Sequence, residues 1–157
     1  MNKTLFFAVT AIAFLILPSS KLLAQTIVID YSYSFPVSEP YYTCDGTEIF
    51  IQGTIAVFGK GAINGKRVNF NQHVNADLTG VDAAGNTYIG KYNQNVTRNG
   101  TYEDGAYTAS TINILDSIRF VSQGSGPNFT ERFQAHLTVT PNGQVTVDRE
   151  RLTPDCN

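Results

Sequence analysis

The sequence predicts an all-β domain: a single antiparallel up-and-down β-barrel closed by one disulfide, with a β-sandwich as the alternative. Three observations carry that expectation. Apolar and polar residues alternate with period two along nearly the whole chain after residue 24, the spacing that puts alternate side chains on one face of a strand. No stretch beyond that point keeps a helical period. Between the strand patterns stand Asn64-Gly65, Gly85-Asn86, Asn99-Gly100 and Asn142-Gly143, and tight hairpins need residues that accept positive φ.

The strands follow in order. Ile27, Ile29, Tyr31, Tyr33 and Phe35 share one face of the first, which Pro36 and Pro40 are expected to stop. A second runs from about Glu48 to Phe58 with apolar residues on both faces, as in a central strand, and Gly53 suggests a bend or bulge. Arg67 to Leu78 alternates cleanly, and Thr87 to about Thr97 groups Tyr88, Tyr92 and Val96. Between Tyr107 and Ser122 the β-branched content favours strand over helix. Phe129 to Thr140 sets Phe133, Leu137 and Val139 against Arg132, Gln134 and His136, and is taken as the structural centre. On that reading Phe133→Ala costs about 3–5 kcal/mol and His136→Ala stays within about 0.5 kcal/mol. Val145 and Val147 begin the last strand.

Residues 1–24 read as a secretory signal peptide, leaving residues 25–157 as one domain. Lys3 supplies the positive start, Leu5 to Leu17 is an apolar run broken only by Thr10, and Ala24 precedes the expected cut. That run is too short to span a bilayer and no second one follows, so the expectation is a secreted or periplasmic protein without a membrane span. The mature chain keeps nine basic and thirteen acidic side chains, a net charge of −4. A mildly acidic chain without a basic cluster has no electrostatic footprint for nucleic acid. Its two cysteines, Cys44 and Cys156, are expected to bond, because export supplies the oxidant and neither has a CxxC partner or nearby His that would suggest a reactive or metal-binding pair.

Three stretches resemble a group of small exported bacterial single-disulfide β-barrel proteins of unknown function. They are Cys44-Asp45-Gly46-Thr47-Glu48, then Asn71 to Gly90, then Gly124 to Val147 with the closing Cys156. The resemblance covers about Cys44 to Cys156 and implies the disulfide and the all-β fold, with no activity attached.

Chemistry-bearing residues are sparse. There is no GxSxG, HExxH, calcium loop, P-loop or dinucleotide fingerprint, so no catalytic residue, cofactor or metal is assigned. His73 and His136 would bind a metal ion only if their strands met across a barrel; otherwise each belongs to a solvated polar face. Tyr41 and Tyr42 are ligand candidates that cannot both point inward, whereas Tyr31, Tyr33 and Phe35 read as core. Asp82, Glu103 and Asp104 read as turn acids. The triplets at Asn95, Asn99 and Asn128 match glycosylation acceptors, taken as chance in an Asn- and Thr-rich chain.

The expected function is a non-catalytic exported barrel that binds a small apolar ligand or a surface partner. One alternative is an isomerase or cyclase shaped like allene oxide cyclase or the dirigent proteins; the other is a structural or adhesive role. An interior roomy enough for a ligand, with convergent polar groups at one mouth, favours the first two, and one filled by its own Phe, Ile and Leu side chains favours the structural or adhesive role.

Overall fold

The computed structural model describes residues 26–43, 45–104 and 106–156. They form seven strands: β1 (Ile27–Tyr42), β2 (Glu48–Asn64), β3 (Arg67–Asp82), β4 (Thr87–Glu103), β5 (Ala106–Ser122), β6 (Phe129–Val139) and β7 (Val145–Cys156). Each pairs antiparallel with the next in one sheet of order β1-β2-β3-β4-β5-β6-β7. The expected all-β, up-and-down topology is therefore what the chain adopts, and among the described residues there is no helix.

Among the described residues the sheet curls without closing into a hydrogen-bonded barrel, since β1 and β7 are its two edges and do not pair with each other. Its curl is plain from Tyr41 on β1, whose ring lies 5.5 Å from that of Phe120 on β5, across the inner face. Two features of the sequence oppose closure. An up-and-down sheet of seven strands has its first and last strands parallel, so closure would require a parallel pair in an otherwise antiparallel ladder. Prolines also stand on both edges: Pro36 and Pro40 on β1, Pro154 on β7. A proline has no N–H to donate, so in a strand it sits where that position faces away from the ladder.

That edge placement also corrects the first strand. Pro36 and Pro40 do not stop it; β1 runs through both to Tyr42, because an edge strand needs only every second N–H for its single neighbour. A second correction concerns Asn99-Gly100. These residues lie inside β4, opposite Thr111 and Ser110, and the turn falls at Asp104, which has a φ of 50°. Gly100 is there because a side chain would collide with the backbone of Ala109 and with Ser110. The turns after Asn64, Ala84 and Asn142 fall as expected, with Gly65, Gly85 and Gly143 at positive φ.

Gly53 is not a bulge: its pairings with Val37 and Leu78 run in unbroken register. Register instead shifts at Thr101/Tyr102 and at His136/Leu137.

The core sits on the inner face of β2 to β5. Ile49, Ile51, Val57, Val74, Tyr88 and Phe120 are all but fully buried there. Tyr41, Tyr88, Phe120 and Phe129 form an aromatic cluster with ring centroids 5.1–5.7 Å apart at the end of the sheet where β1 finishes. Strands this long must coil to keep an inner face packed. Two inward glycines permit it: the Tyr31 ring lies over Gly59, and the Phe120 ring lies over Gly90. The expected centre, β6, is instead next to an edge. Only its Phe129 and Ala135 are buried, while Phe133 is half-buried, so Phe133→Ala removes less packing than a core phenylalanine would.

Candidate functional site

The four ligand candidates are not brought together: the histidines stand on separate strands of the outer face and the two tyrosines on opposite faces of β1. His73 faces outward on β3, its ring stacked on Phe58 at 6.5 Å and its Nδ1 2.8 Å from Asn95 Oδ1. His136 faces outward on β6, with Nδ1 2.5 Å from Asn113 Oδ1 and Nε2 3.5 Å from an Asp148 carboxylate oxygen. Two strands intervene between them, so the sheet does not bring the histidines together. Among the described residues no group of His, Cys, Asp and Glu is arranged to hold a metal ion.

Tyr41 and Tyr42 part as alternation requires: Tyr41 is buried, and Tyr42 is exposed with its hydroxyl bonded to Glu48. Tyr31, Tyr33 and Phe35 do share the inner face, as a ladder of rings 6.0 and 6.2 Å apart. Tyr33 nevertheless stays 47% exposed, because the inner face is open at that end. Cys44 lies outside the described residues, as does the side chain of Cys156, and so does the pairing expected between them.

A polar network in the interior was not anticipated. Asp116 interrupts the inward series Ile112, Ile114, Ile118 and Phe120 on β5. Its Oδ2 accepts hydrogen bonds from the Tyr92 hydroxyl at 3.1 Å and from Gln94 Nε2 at 3.2 Å. Glu131, inward on β6, is bonded to Tyr41. Burial, and then the charge of Glu131, hold the Asp116 carboxyl above the usual carboxylate range despite those two hydrogen bonds. Burial and their carboxylate partners push the Tyr41 and Tyr92 hydroxyls far above an ordinary phenol. The signal was legible as an acid at apolar parity on each of two strands.

The network sits among buried side chains with little room beside it. The interior void beside it, bordered by Glu39, Ile55, Tyr92 and Ile118, measures about 10 Å³, room for a single water molecule at most. Its consequence is a pH dependence of stability. Because the folded carboxyl of Asp116 keeps its proton to a higher pH than the unfolded one, the native state binds more protons between those two values. The contribution is full below the unfolded value and is lost as pH rises through the folded one. Asp116→Asn is therefore expected to gain stability relative to the native protein as pH rises toward neutral. Thermal unfolding across a pH series checks it, and a pH-independent difference between the two proteins would refute it.

Of the expected turn acids, Glu103 is instead the last residue of β4 and ion-pairs with Lys66, whereas Asp82 satisfies backbone amides as expected. Asp82 Oδ1 accepts the Ala84 and Asn86 amides, both at 2.9 Å, and its other oxygen accepts the Tyr88 hydroxyl at 3.0 Å. Hydrogen bonds led by the Asn86 side chain hold its carboxyl below the usual range. Burial, with Asp82 beside it, pushes the Tyr88 hydroxyl up to about 12.

The larger concavity lies outside. A groove of about 420 Å³ crosses the outer face of β2 to β4, lined by Gln52, Asp77, Thr79, Ile89 and Lys91, with Gly53, Leu78 and Gly90 contributing the rest. Phe50 and Val81, directly opposed and each 47% exposed, adjoin one end. Farther along the same face, Phe58, His73, Asn95 and Leu115 stand in one cross-strand row. Apart from the Lys91–Asp77 ion pair, the side chains between these apolar ends on β2 to β4 are uncharged: Thr54, Ala56, Asn75 and Asn93.

Fold and site together define a seven-stranded antiparallel up-and-down sheet, curled round an apolar core, with a groove of about 420 Å³ on its outer face and a void of about 10 Å³ within. No protein-family model, no curated protein and no solved structure matches this chain.

Proposed function

We propose that this is an exported, non-catalytic binding protein whose outer β2–β4 face docks a neutral, hydroxyl-rich polymer, a polysaccharide. The observation that carries the reading is the contrast in space, about 420 Å³ outside against about 10 Å³ inside. A small apolar ligand, or the substrate of a cyclase-like enzyme, would need the interior. The chemistry of the outer face supports the rest. Amide side chains both donate and accept, as sugar hydroxyls do, and exposed Phe50 and Phe58 offer ring faces to the apolar side of a sugar. Eight residues separate these rings on β2, a span of about 26 Å at strand spacing, matching an extended chain better than one sugar.

Export to the periplasm or beyond belongs to the same proposal, as does a Cys44–Cys156 bond that completes the curl covalently. Two facts support the bond. Tyr41 on β1 reaches Glu131 on β6, which pairs with Pro154 on β7. Cys44 follows three residues after Tyr41 in the sequence and Cys156 two residues after Pro154, and β1 and β7, being parallel, both run toward that end of the sheet.

The test is co-sedimentation of the mature protein with cellulose, chitin and starch granules in high salt. Retention on at least one is expected, insensitive to salt because the contacts are uncharged. Phe58→Ala should lose it while the melting temperature holds, since surface changes cost within about 0.5 kcal/mol. Retention on none of the three, or undiminished retention of Phe58→Ala, overturns the reading.

A further inference from the structure

We infer that the mature protein forms a two-fold dimer by antiparallel pairing of the β1 segment Ile27–Phe35 with the same segment of a second copy. A free sheet edge is a template for another strand, and soluble proteins guard it with prolines, charges and bulges. Nearly every other part of the two free edges here carries such a guard. Pro36 and Pro40 fall at alternate even positions of β1, and Pro154 guards the end of β7. The middle of β7 holds Asp148, Arg149, Glu150 and Arg151 beside the register shift opposite His136/Leu137. Ile27–Phe35 has no proline, no bulge and one charge, Asp30.

The segment also projects past its neighbour across the seam. Eight residues back from Tyr41 along β1 is Tyr33, and eight on from Glu131 along β6 is Val139, the last residue of that strand. Ile27 to Ser32 therefore lies beyond the level at which β6 ends and β7, paired through Val139 and Val145, begins.

Parity then selects one register. In an antiparallel pair the backbone groups of alternate residues face one neighbour and those between face the other. The prolines mark the even positions of β1 as those turned from β2, so Val28, Asp30, Ser32 and Ser34 present their N–H and C=O groups to the free edge. A two-fold axis through Tyr31 sets Asp30 against Ser32 of the second copy and Val28 against Ser34. Moving the axis to Asp30 would oppose two like charges, and moving it to Ser32 would bring in Pro36 as a pairing partner. On the inner face the same register sets Ile29 against Tyr33 and Ile27 against Phe35 of the second copy. It thereby covers Tyr33, which is 47% exposed in the single chain. Such an interface is isologous and closes at two copies.

The experiment is light scattering on the mature protein over a wide concentration range, beside Ser32→Pro. That variant adds a third even-position proline and leaves the β2 ladder whole. A mass that doubles with concentration is expected for the native chain, with Ser32→Pro monomeric throughout at an unchanged melting temperature. Amide hydrogen exchange on the native protein keeps the proposal decidable if that variant fails to fold. Asp30, Ser32 and Ser34 should become protected at high concentration, with the even positions beyond Pro36 unchanged. A monomer at every concentration, open-ended polymers, a dimer that Ser32→Pro leaves intact, or protection confined to β7 would each overturn the pairing. The inference stands apart from the polysaccharide reading, which light scattering does not address.

Discussion

Phe120→Ala is expected to lower the unfolding free energy by about 3–5 kcal/mol, the range for deleting a large buried ring. Phe120 has no solvent exposure, and its ring meets those of Tyr41 and Phe129 at 5.5 and 5.1 Å. It therefore joins β1, β5 and β6 through side chains at the end of the sheet that hydrogen bonds leave open. The ring lies over Gly90 of the paired strand β4, where any Cβ would overlap it. Gly90→Ala is accordingly expected to cost about 1–3 kcal/mol by overpacking. The double variant should cost less than the sum, since an alanine at residue 120 vacates the space that a Cβ at residue 90 needs. Denaturant titration of the four proteins measures this coupling. Strict additivity would mean that the ring and the glycine do not share that space.

Most of the fold was readable from alternation. Each of the seven strands includes the stretch whose alternation predicts it, and β3 to β6 carry their inward residues on the expected positions, whereas Val145 and Val147 on β7 are exposed. What alternation cannot convey is the relation between ends. The residues Pro36 and Pro40 break a central strand but suit an edge, and the edge status of β1 depends on the whole sheet order. Likewise Asn99-Gly100 has the composition of a hairpin turn, yet its glycine serves close contact with β5, a long-range cause. A run of tight hairpins suits a closed barrel and an open sheet equally, and only the relation of the two ends decides between them. Counting seven strands already makes β1 parallel to β7.

The candidate site was less legible. His73 and His136 attracted notice as residue types, whereas their position on opposite stretches of the outer face follows only from parity and strand order. Asp116 and Glu131 carry the stronger signal, an acid among isoleucines and phenylalanines at inward parity. The outer groove has no local sequence signature at all. It arises where three strands place Gln52, Thr79 and Ile89 in one cross-strand row.

Cys156→Ser is expected to destabilise the mature protein by up to roughly 4–5 kcal/mol, the chain-entropy value for closing a loop of this length. The two cysteines stand 112 positions apart, so their bond would tie the end of β1 to the end of β7 and restrict nearly the entire unfolded chain. The expected effect is large because, among the described residues, no hydrogen-bonded ladder holds that seam. β1 and β7 share no ladder, and among the described residues the seam is bridged by side chains such as Tyr41 and Glu131. Strain in the folded state would bring the cost below this figure. Reductant should reproduce the loss in the native protein, and Cys44→Ser/Cys156→Ser should cost no more than Cys156→Ser alone, since both remove one bond. Thiol titration of the unfolded, unreduced chain gives the direct check. Two titratable thiols, or a melting temperature indifferent to reductant, would leave the seam to its side chains and the inferred bond without support.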